Sequence, residues 1–470
     1  MNLHLVLLLA YSALQILLGL WIGRRVKSAG DFFVAGRRLG PGLLFSTMVA
    51  ANIGAGSTVG AAGLGYRDGL SAWWWVGSAA IGSVFLAFFV GPRIRRIAQE
   101  QGLHTVGDYL EYRYSRSVRG VVAVLLWVGT LTILAGQLVA MGVVLHAVAG
   151  VPRYVGSILG GVVMTAYFTA GGLLTSAWVN AVQLVVELLV FAALLPLALS
   201  AGGGWSAMVA AAPATEGYWS LWQGGGSGWI YLALLAPAFV VSPGLLQKVY
   251  GARDDRTVKI GVGGNALLLL LFAFIPVLLG IIAHSLHPDL PNHELALPTL
   301  LVRDLPPIVG ALGLAAVFST EVNTADAILF MLSTSLSQDL YRGFVNPRAS
   351  DTKVLSVARG AAVAGGMLGV LLAVVFSTVI GALSIFYTVL SVSLFVPIIA
   401  GLYLRRVGTP EALAAIGAGV AALAAVQLGT GGRGLGPFPP VVVGLLAAAA
   451  ACALSLALRP RRHRGIEKAR

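Results

Sequence analysis

The stretch Leu43 to Tyr66, LLFSTMVAANIGAGSTVGAAGLGY, is apolar and long enough to cross a bilayer, yet it is interrupted in its middle by Asn52, Gly54 and Gly56. A helix broken at membrane depth frees backbone carbonyls and amides that lipid cannot hydrogen-bond, so the break must line a cavity enclosed by protein. Carbonyl oxygens facing such a cavity are ligands for a small, hard cation. Discontinuous helices near the bilayer midplane are the device with which secondary transporters hold substrate and coupling ion. The same residues also fit plain packing, because Gly56 and Gly60 stand four apart, the spacing at which membrane helices approach closely.

Other stretches carry comparable chemistry. IYLALLAPAFVVSPGLLQKVYG holds Pro237, Pro243 and Gly244, which predicts a second interrupted helix. Its place at the start of five later spans, as Leu43 stands at the start of five earlier ones, is what an inverted repeat requires. Proline kinks serve packing in membrane helices too. The run LAAVFSTEVNTADAILFMLSTSLSQDLY is far more polar than packing needs and contains Glu321 and Asp326, while Glu187 lies in another apolar run. An ionisable group inside a span marks a functional site or a structural pair. Gln137 is a lone amide in an apolar helix, a type that commonly bonds to a neighbouring helix.

Holding such groups at membrane depth requires a scaffold of spans, and composition supplies one. Of 470 residues, 58% are hydrophobic and only 10% charged, with mean hydropathy +0.88, too apolar for a soluble domain. Apolar runs of about 20 residues begin near Leu5, Leu43, Ala72, Val121, Tyr154, Ala177, Trp229, Ile260, Ile308, Val354, Val379, Ala412 and Val441, which predicts about 13 spans. With the N-terminus outside, Arg67, Arg153, Arg303 and Arg433 are the only basic residues on outer loops, and the rest of the 31 fall inside. The net charge of +13 therefore sets orientation, through clusters such as Arg24, Arg25, Lys27, Arg37 and Arg38, and does not recruit nucleic acid. The first 23 residues resemble a signal peptide, but Arg24 and Arg25 follow the apolar run and no A-x-A site closes it, so an uncleaved helix is expected. Cys452 stands alone, so no intrachain disulfide forms. The segment HTVGDYLEYRYS and the run Lys248 to Lys259 both read as solvated inner surface.

FVAGRRLG followed by AANIGAG resembles the opening of the sodium:solute symporter family, and the resemblance recurs over nearly the whole chain. YFTAGGLLTSAWVNAVQ is similar to the family's Y-T-x-x-G-G-L and W-T-D-x-x-Q, with Tyr167, Gly171, Gly172, Leu173, Trp178 and Gln183 matching. Asn180 stands where relatives usually carry an aspartate that in some of them serves a second sodium site. Asp339, Leu340 and Tyr341 match the acidic, hydrophobic and aromatic close of the family's eighth core span.

The resemblance implies an all-α membrane protein with a LeuT-type core of two inverted five-helix repeats. Residues 1–40 would form an extra helix and inner linker, 41–200 the first repeat, 201–228 an outer loop and 229–403 the second repeat. Residues 404–458 would be two peripheral helices and 459–470 a basic cytoplasmic tail. Counting back from Asp339 aligns Asn323 and Thr324, not the more obvious Ser319 and Thr320, with the family's sodium-binding hydroxyls. A sodium site then comprises the carbonyls of Ala50, Ile53 and Thr320, the side-chain carbonyl of Asn323 and the hydroxyl of Thr324. Solute contacts fall to Ser57, Thr58, Trp75, Gln137 and Phe239, beside the two breaks. Trp75 matches an aromatic near the substrate of sugar-transporting relatives, but Val76 replaces their polar neighbour and disfavours a sugar. Asn180, Glu187, Glu321 and Asp326 offer a second ion or proton site.

Other chemistry is excluded by what is missing. No Gly-Lys pair forms a P-loop, and neither H-E-x-x-H nor G-x-S-x-G occurs. GTGGRG matches G-x-G-x-x-G through Gly429, Gly431 and Gly434, but no strand precedes it. The histidines of HSLHPDLPNHEL lack metal-ligand spacing. The expected function is secondary active transport, sodium-coupled symport of a small organic solute by alternating access. Sodium is the coupling ion; no organic cofactor, nucleic acid or obligatory protein partner is called for, and the other partner is the lipid bilayer. The expected location is a bacterial-type cytoplasmic (inner) membrane, N-terminus outside and C-terminus inside. Proton coupling through the buried carboxylates, and a membrane sensor module of the same fold, are the alternatives; the dozen residues after the last span are too few for a kinase.

Overall fold

The computed structural model describes residues 35–169, 173–213, 215–223 and 228–458, with a few isolated positions before residue 35. Most of the expected first helix and of the inner linker, the side chains of the motif residues from Tyr167 to Trp178 and the basic tail lie outside the described residues. Apart from the isolated bridges Leu39–Ala252 and Leu435–Phe438, the described residues contain no β pairing.

The helices are α1 (Pro41–Asn52), α2 (Ala61–Asp68), α3 (Trp73–Phe85), α4 (Gly91–Glu100), α5 (Val106–Arg113), α6 (Arg116–Ala149), α7 (Arg153–Thr169) and α8 (Leu173–Ala201). They continue as α9 (Gly204–Ala210), α10 (Gly228–Val241), α11 (Pro243–Tyr250), α12 (Asp255–Phe272), α13 (Phe274–Leu286) and α14 (Ala296–Arg303). The rest are α15 (Pro307–Thr334), α16 (Asp351–Val375), α17 (Val379–Tyr403), α18 (Thr409–Gly429) and α19 (Pro440–Leu458). π-Helical stretches Gly56–Gly60, Leu86–Val90 and Ser335–Val345 lead into α2, join α3 to α4 and extend α15.

Ten stretches among the described residues are long and apolar enough to span a membrane. The count differs from the expected 13 for identifiable reasons. The run Gly56–Glu100 is continuous for 45 residues, roughly 68 Å of helix and twice a bilayer, so it must double back. It does so at Gly69, whose φ of 72° is reserved for glycine. α7 has only 17 described residues, and the run at Leu5 lies outside them.

Residue size decides which face of each helix turns inward. α16 exposes Met367, Leu371 and Val374 and buries Ala358, Ala362, Gly365 and Gly369, the small-inside pattern of helices that pack in lipid. α18 and α19 pack chiefly on each other and on α17. α1 lies among α8, α11, α12 and α15; α10 packs on α3 and α17, and α6 on α15 and α17.

The second interruption is narrower than its sequence suggests. Pro237 sits inside α10, and the helix yields only at Ser242, with ψ 121°, before Pro243 restarts it. Proline is accommodated at the first position of a helix, where its missing N–H has no partner to lose.

Two stretches expected to be solvated are so only in part. In HTVGDYLEYRYS, Tyr109 and Leu110 are fully buried, and Thr105 caps α5 reciprocally with Asp108. Arg119 ties this segment to the core, 2.9 Å from Asp108, 2.7 Å from Glu111 and 3.1 Å from Asp339. Thr105 donates to the same Asp339 carboxylate. Lys248, read as part of a solvated run, is 2% exposed. The alternation of charge after Gln247 hid the fact that α11 runs inward against α15.

At the opposite end of the bundle, the loop between α13 and α14 is fastened by Glu294. Its carboxylate accepts from the N–H groups of Val379 (2.7 Å) and Ile380 (3.4 Å), the first turn of α17. Burial pushes the Glu294 carboxyl from 4.5 up to about 7, against the opposing pull of those two N–H groups. A folded value above the unfolded one gives stability that is complete below pH 4.5 and lost as pH rises through 7. Thermal melting from pH 4.5 to 8 should therefore show the wild type losing up to about 3 kcal/mol more than Glu294→Gln. Parallel curves would contradict this placement of Glu294.

Candidate functional site

α1 ends at Asn52, and Ile53 turns extended at φ −96°, ψ 100°. Helix resumes only at Gly56. Side chains satisfy the backbone groups thus released. The Ala55 N–H donates to Gln137 Oε1 (2.9 Å), and the Gly54 N–H donates to Ser57 Oγ (2.9 Å). Ser57 Oγ in turn donates to the Asn52 carbonyl (2.9 Å), and Thr58 Oγ1 to the Gly54 carbonyl (2.8 Å). Two carbonyls, of Ala50 and Ile53, converge on one donor: Thr324 Oγ1 on α15, at 2.9 and 3.0 Å.

The close approach of α15 depends on Gly54. A Cβ there would lie 2.3 Å from Thr324 Oγ1 and 2.9 Å from Gln137 Oε1, contacts that packed interiors do not tolerate. Thr320 lies one turn from Thr324, fully buried, with its hydroxyl turned back to the Val317 carbonyl at 2.7 Å. Its hydroxyl is thus occupied within its own helix. Asn323 donates from Nδ2 to Glu187 Oε1 at 2.9 Å. Its Oδ1 has no hydrogen-bond partner among the described residues.

A cavity of about 30 Å³ adjoins the break, lined among others by Asn52, Ser57, Trp75, Gln137, Phe239 and Tyr387. A second, of about 40 Å³, lies against Ser242, Lys248 and Thr324 and shares Asn52, Phe239 and Tyr387 with the first. The first has room for about two waters, so an organic solute enters only if helices move apart. Its described lining has no charged side chain. Trp75 packs edge-on against Tyr231 and Tyr387, at 5.2 and 6.1 Å between centroids, and Phe239 lies 5.6 Å from Tyr387.

Four of the five expected solute contacts, Ser57, Trp75, Gln137 and Phe239, therefore meet at one cavity. Thr58 does not line it; its hydroxyl is spent on Gly54. Tyr387 and Asn52 were passed over as solute contacts. Asn52 also reaches α12, donating to Asn265 Oδ1 at 3.1 Å. Of the four residues offered as a second ion or proton site, Glu321 stands outside any hydrogen-bonded group among the described residues. Glu187 bonds to Ser319 and Asn323. Neither oxygen of the fully buried Glu321 has a hydrogen-bond partner among the described residues. Asn180 is buried, its Oδ1 likewise unpartnered there.

The chain is similar to known transporters. The sodium/glucose cotransporter of Vibrio parahaemolyticus is 26% identical over 415 residues, 77% of this chain and 73% of that one. The sodium/pantothenate symporter of Escherichia coli strain K12 is 27% identical over 341 residues, 67% and 68% of the two chains. The fold is that of a solved Na+-coupled sialic acid symporter in a substrate-bound outward-open state, with TM-score 0.81 and 19% identity over 97% of this chain and 98% of that one. Residues 32–419 match the sequence profile of the Sodium:solute symporter family, and the chain belongs to that family of membrane transporters.

Proposed function

We propose that sodium binds where the Ala50 and Ile53 carbonyls meet the Thr324 hydroxyl, with Asn323 Oδ1 and the Thr320 carbonyl completing five oxygens, and that it drives symport of a small organic solute. The observation that supports this reading is the convergence of two carbonyls from an interrupted helix on one hydroxyl of another. A hydroxyl hydrogen satisfies two carbonyls poorly. A monovalent cation replaces it and draws the hydroxyl's own lone pair inward. Bound there, the ion joins α1 to α15 and favours the state in which the solute cavity is open to the outside; both leave when the helices rearrange. One sodium ion falling through 100 mV supplies about 2.3 kcal/mol before its concentration term, enough for roughly a fifty-fold gradient of a neutral solute.

The repeats would be residues 41–200 and 229–403, in the cytoplasmic membrane, with the Arg119–Asp339 network at the inner end and Glu294 at the outer. The uncharged cavity lining suits a solute that is neutral or internally balanced, since an unmatched charge there would be costly to bury. Proton coupling is the second reading, and the buried Glu321 supports it.

Uptake into proteoliposomes tests the coupling ion. Full activity in choline buffer under an imposed pH gradient would end the sodium reading. Thr324→Ala should raise the sodium concentration for half-maximal uptake at least tenfold, and an unchanged value would remove Thr324 from the site. Gly54→Ala should abolish uptake in a protein that still purifies as a single species, at a stability cost of about 1–3 kcal/mol; wild-type uptake would show that the approach of Thr324 is not required. In a thermal-shift screen of amino acids, carboxylates and sugars, a sodium-dependent shift should come from a neutral or zwitterionic compound. A shift from a multiply charged one alone would overturn the reading of the lining.

A further inference from the structure

Glu187 on α8 is buried at 4% exposure, and its Oε1 accepts two hydrogen bonds from α15. Ser319 Oγ donates one, and Asn323 Nδ2 donates the other at 2.9 Å. An amide has two chemically opposite ends. If one faces a cation, the oxygen attracts it and the NH2 repels it. The acceptor at Glu187 holds the NH2 end of Asn323 on the α8 side. Oδ1 is left without a hydrogen-bond partner among the described residues. Asn323 precedes Thr324, whose hydroxyl holds the Ala50 and Ile53 carbonyls.

We infer that Glu187 is a positioning residue for the coupling-ion site: by accepting from Asn323 Nδ2 it fixes which end of that amide is offered to sodium. The inference rests on the sodium reading above and adds a residue outside the ligand set. A hydroxyl at position 323 would need no such partner, because it rotates to present its lone pair. An amide cannot present oxygen without turning its NH2 elsewhere, so Asn323 and Glu187 act as a pair. Ser319 gives the same Oε1 a second donor and keeps the carboxylate directed at α15.

The test measures sodium binding to purified protein without solute, by sodium-dependent thermal stabilisation, alongside uptake kinetics. Glu187→Leu removes the acceptor and should weaken sodium binding about tenfold, raising the sodium requirement of uptake while leaving the solute KM at saturating sodium within about twofold. Glu187→Gln keeps an acceptor oxygen and should retain most of the affinity. In an Asn323→Ser background, Glu187→Leu should change sodium binding less than twofold. The proposal is overturned if Glu187→Gln loses as much as Glu187→Leu, or if the Leu substitution costs the same with serine at 323. Should Glu187→Leu fail to fold, Glu187→Met, closer in length and likewise without a carboxyl or amide acceptor, takes its place in both backgrounds, and equal losses in the two would overturn the pairing. Wild-type protein with no sodium-dependent stabilisation at all would instead defeat the sodium reading on which the inference stands.

Discussion

Everything in this molecule turns on the cost of leaving backbone polar groups unpaired at membrane depth. α1 stops at Asn52 and helix resumes at Gly56. Lipid cannot satisfy what lies between. Ser57 and Thr58 serve the gap from within the segment, Gln137 reaches in from α6, and Thr324 reaches in from α15. The broken helix is therefore stable only while two other helices, α6 and α15, hold their positions around it. That dependence is what a coupling ion can exploit. A ligand that satisfies the same carbonyls better than a shared hydroxyl hydrogen changes the energy of bringing α1 and α15 together.

The rest of the fold supports this point from two ends. Arg119 gathers Asp108, Glu111 and Asp339, which ties α5 and the π-helical close of α15 to α6. Glu294 fastens the opposite loop to the first turn of α17. Between them the cavity beside Trp75, Gln137 and Tyr387 is too small for an organic solute, so solute passage and helix movement are one process. Small residues let neighbouring helices approach closely here. A Cβ on Gly280 would lie 1.9 Å from the Ala62 carbonyl, so α13 and α2 meet almost backbone to backbone.

Much of this was legible in the sequence because the physical signals are local. Asn52, Gly54 and Gly56 announce a break in an apolar run, and the structure breaks between Asn52 and Gly56. Counting back from Asp339 selected Thr324 over Thr320, and only Thr324 reaches the Ala50 and Ile53 carbonyls. What the sequence concealed depends on partners distant in the chain. Lys248 lies in a run of charge that looks solvated, and only the packing of α11 on α15 buries it. Pro237 looks as disruptive as Pro243, yet one sits within a helix and the other begins one. Thr58 stands beside Ser57 in the sequence but turns its hydroxyl to Gly54, away from the cavity. Of the four buried polar residues Asn180, Glu187, Glu321 and Asp326, the last two stand five residues apart on α15, a spacing that turns them to different sides of that helix.

The most direct test is a pair of high-resolution structures of the solute-free protein, one in sodium and one in choline. The account predicts density in sodium alone, about 2.3–2.6 Å from the Ala50 and Ile53 carbonyls and from Thr324 Oγ1, the range of hard-cation to oxygen contacts. Identical structures in both salts, with the Thr324 hydroxyl still bonded to the two carbonyls, would contradict it.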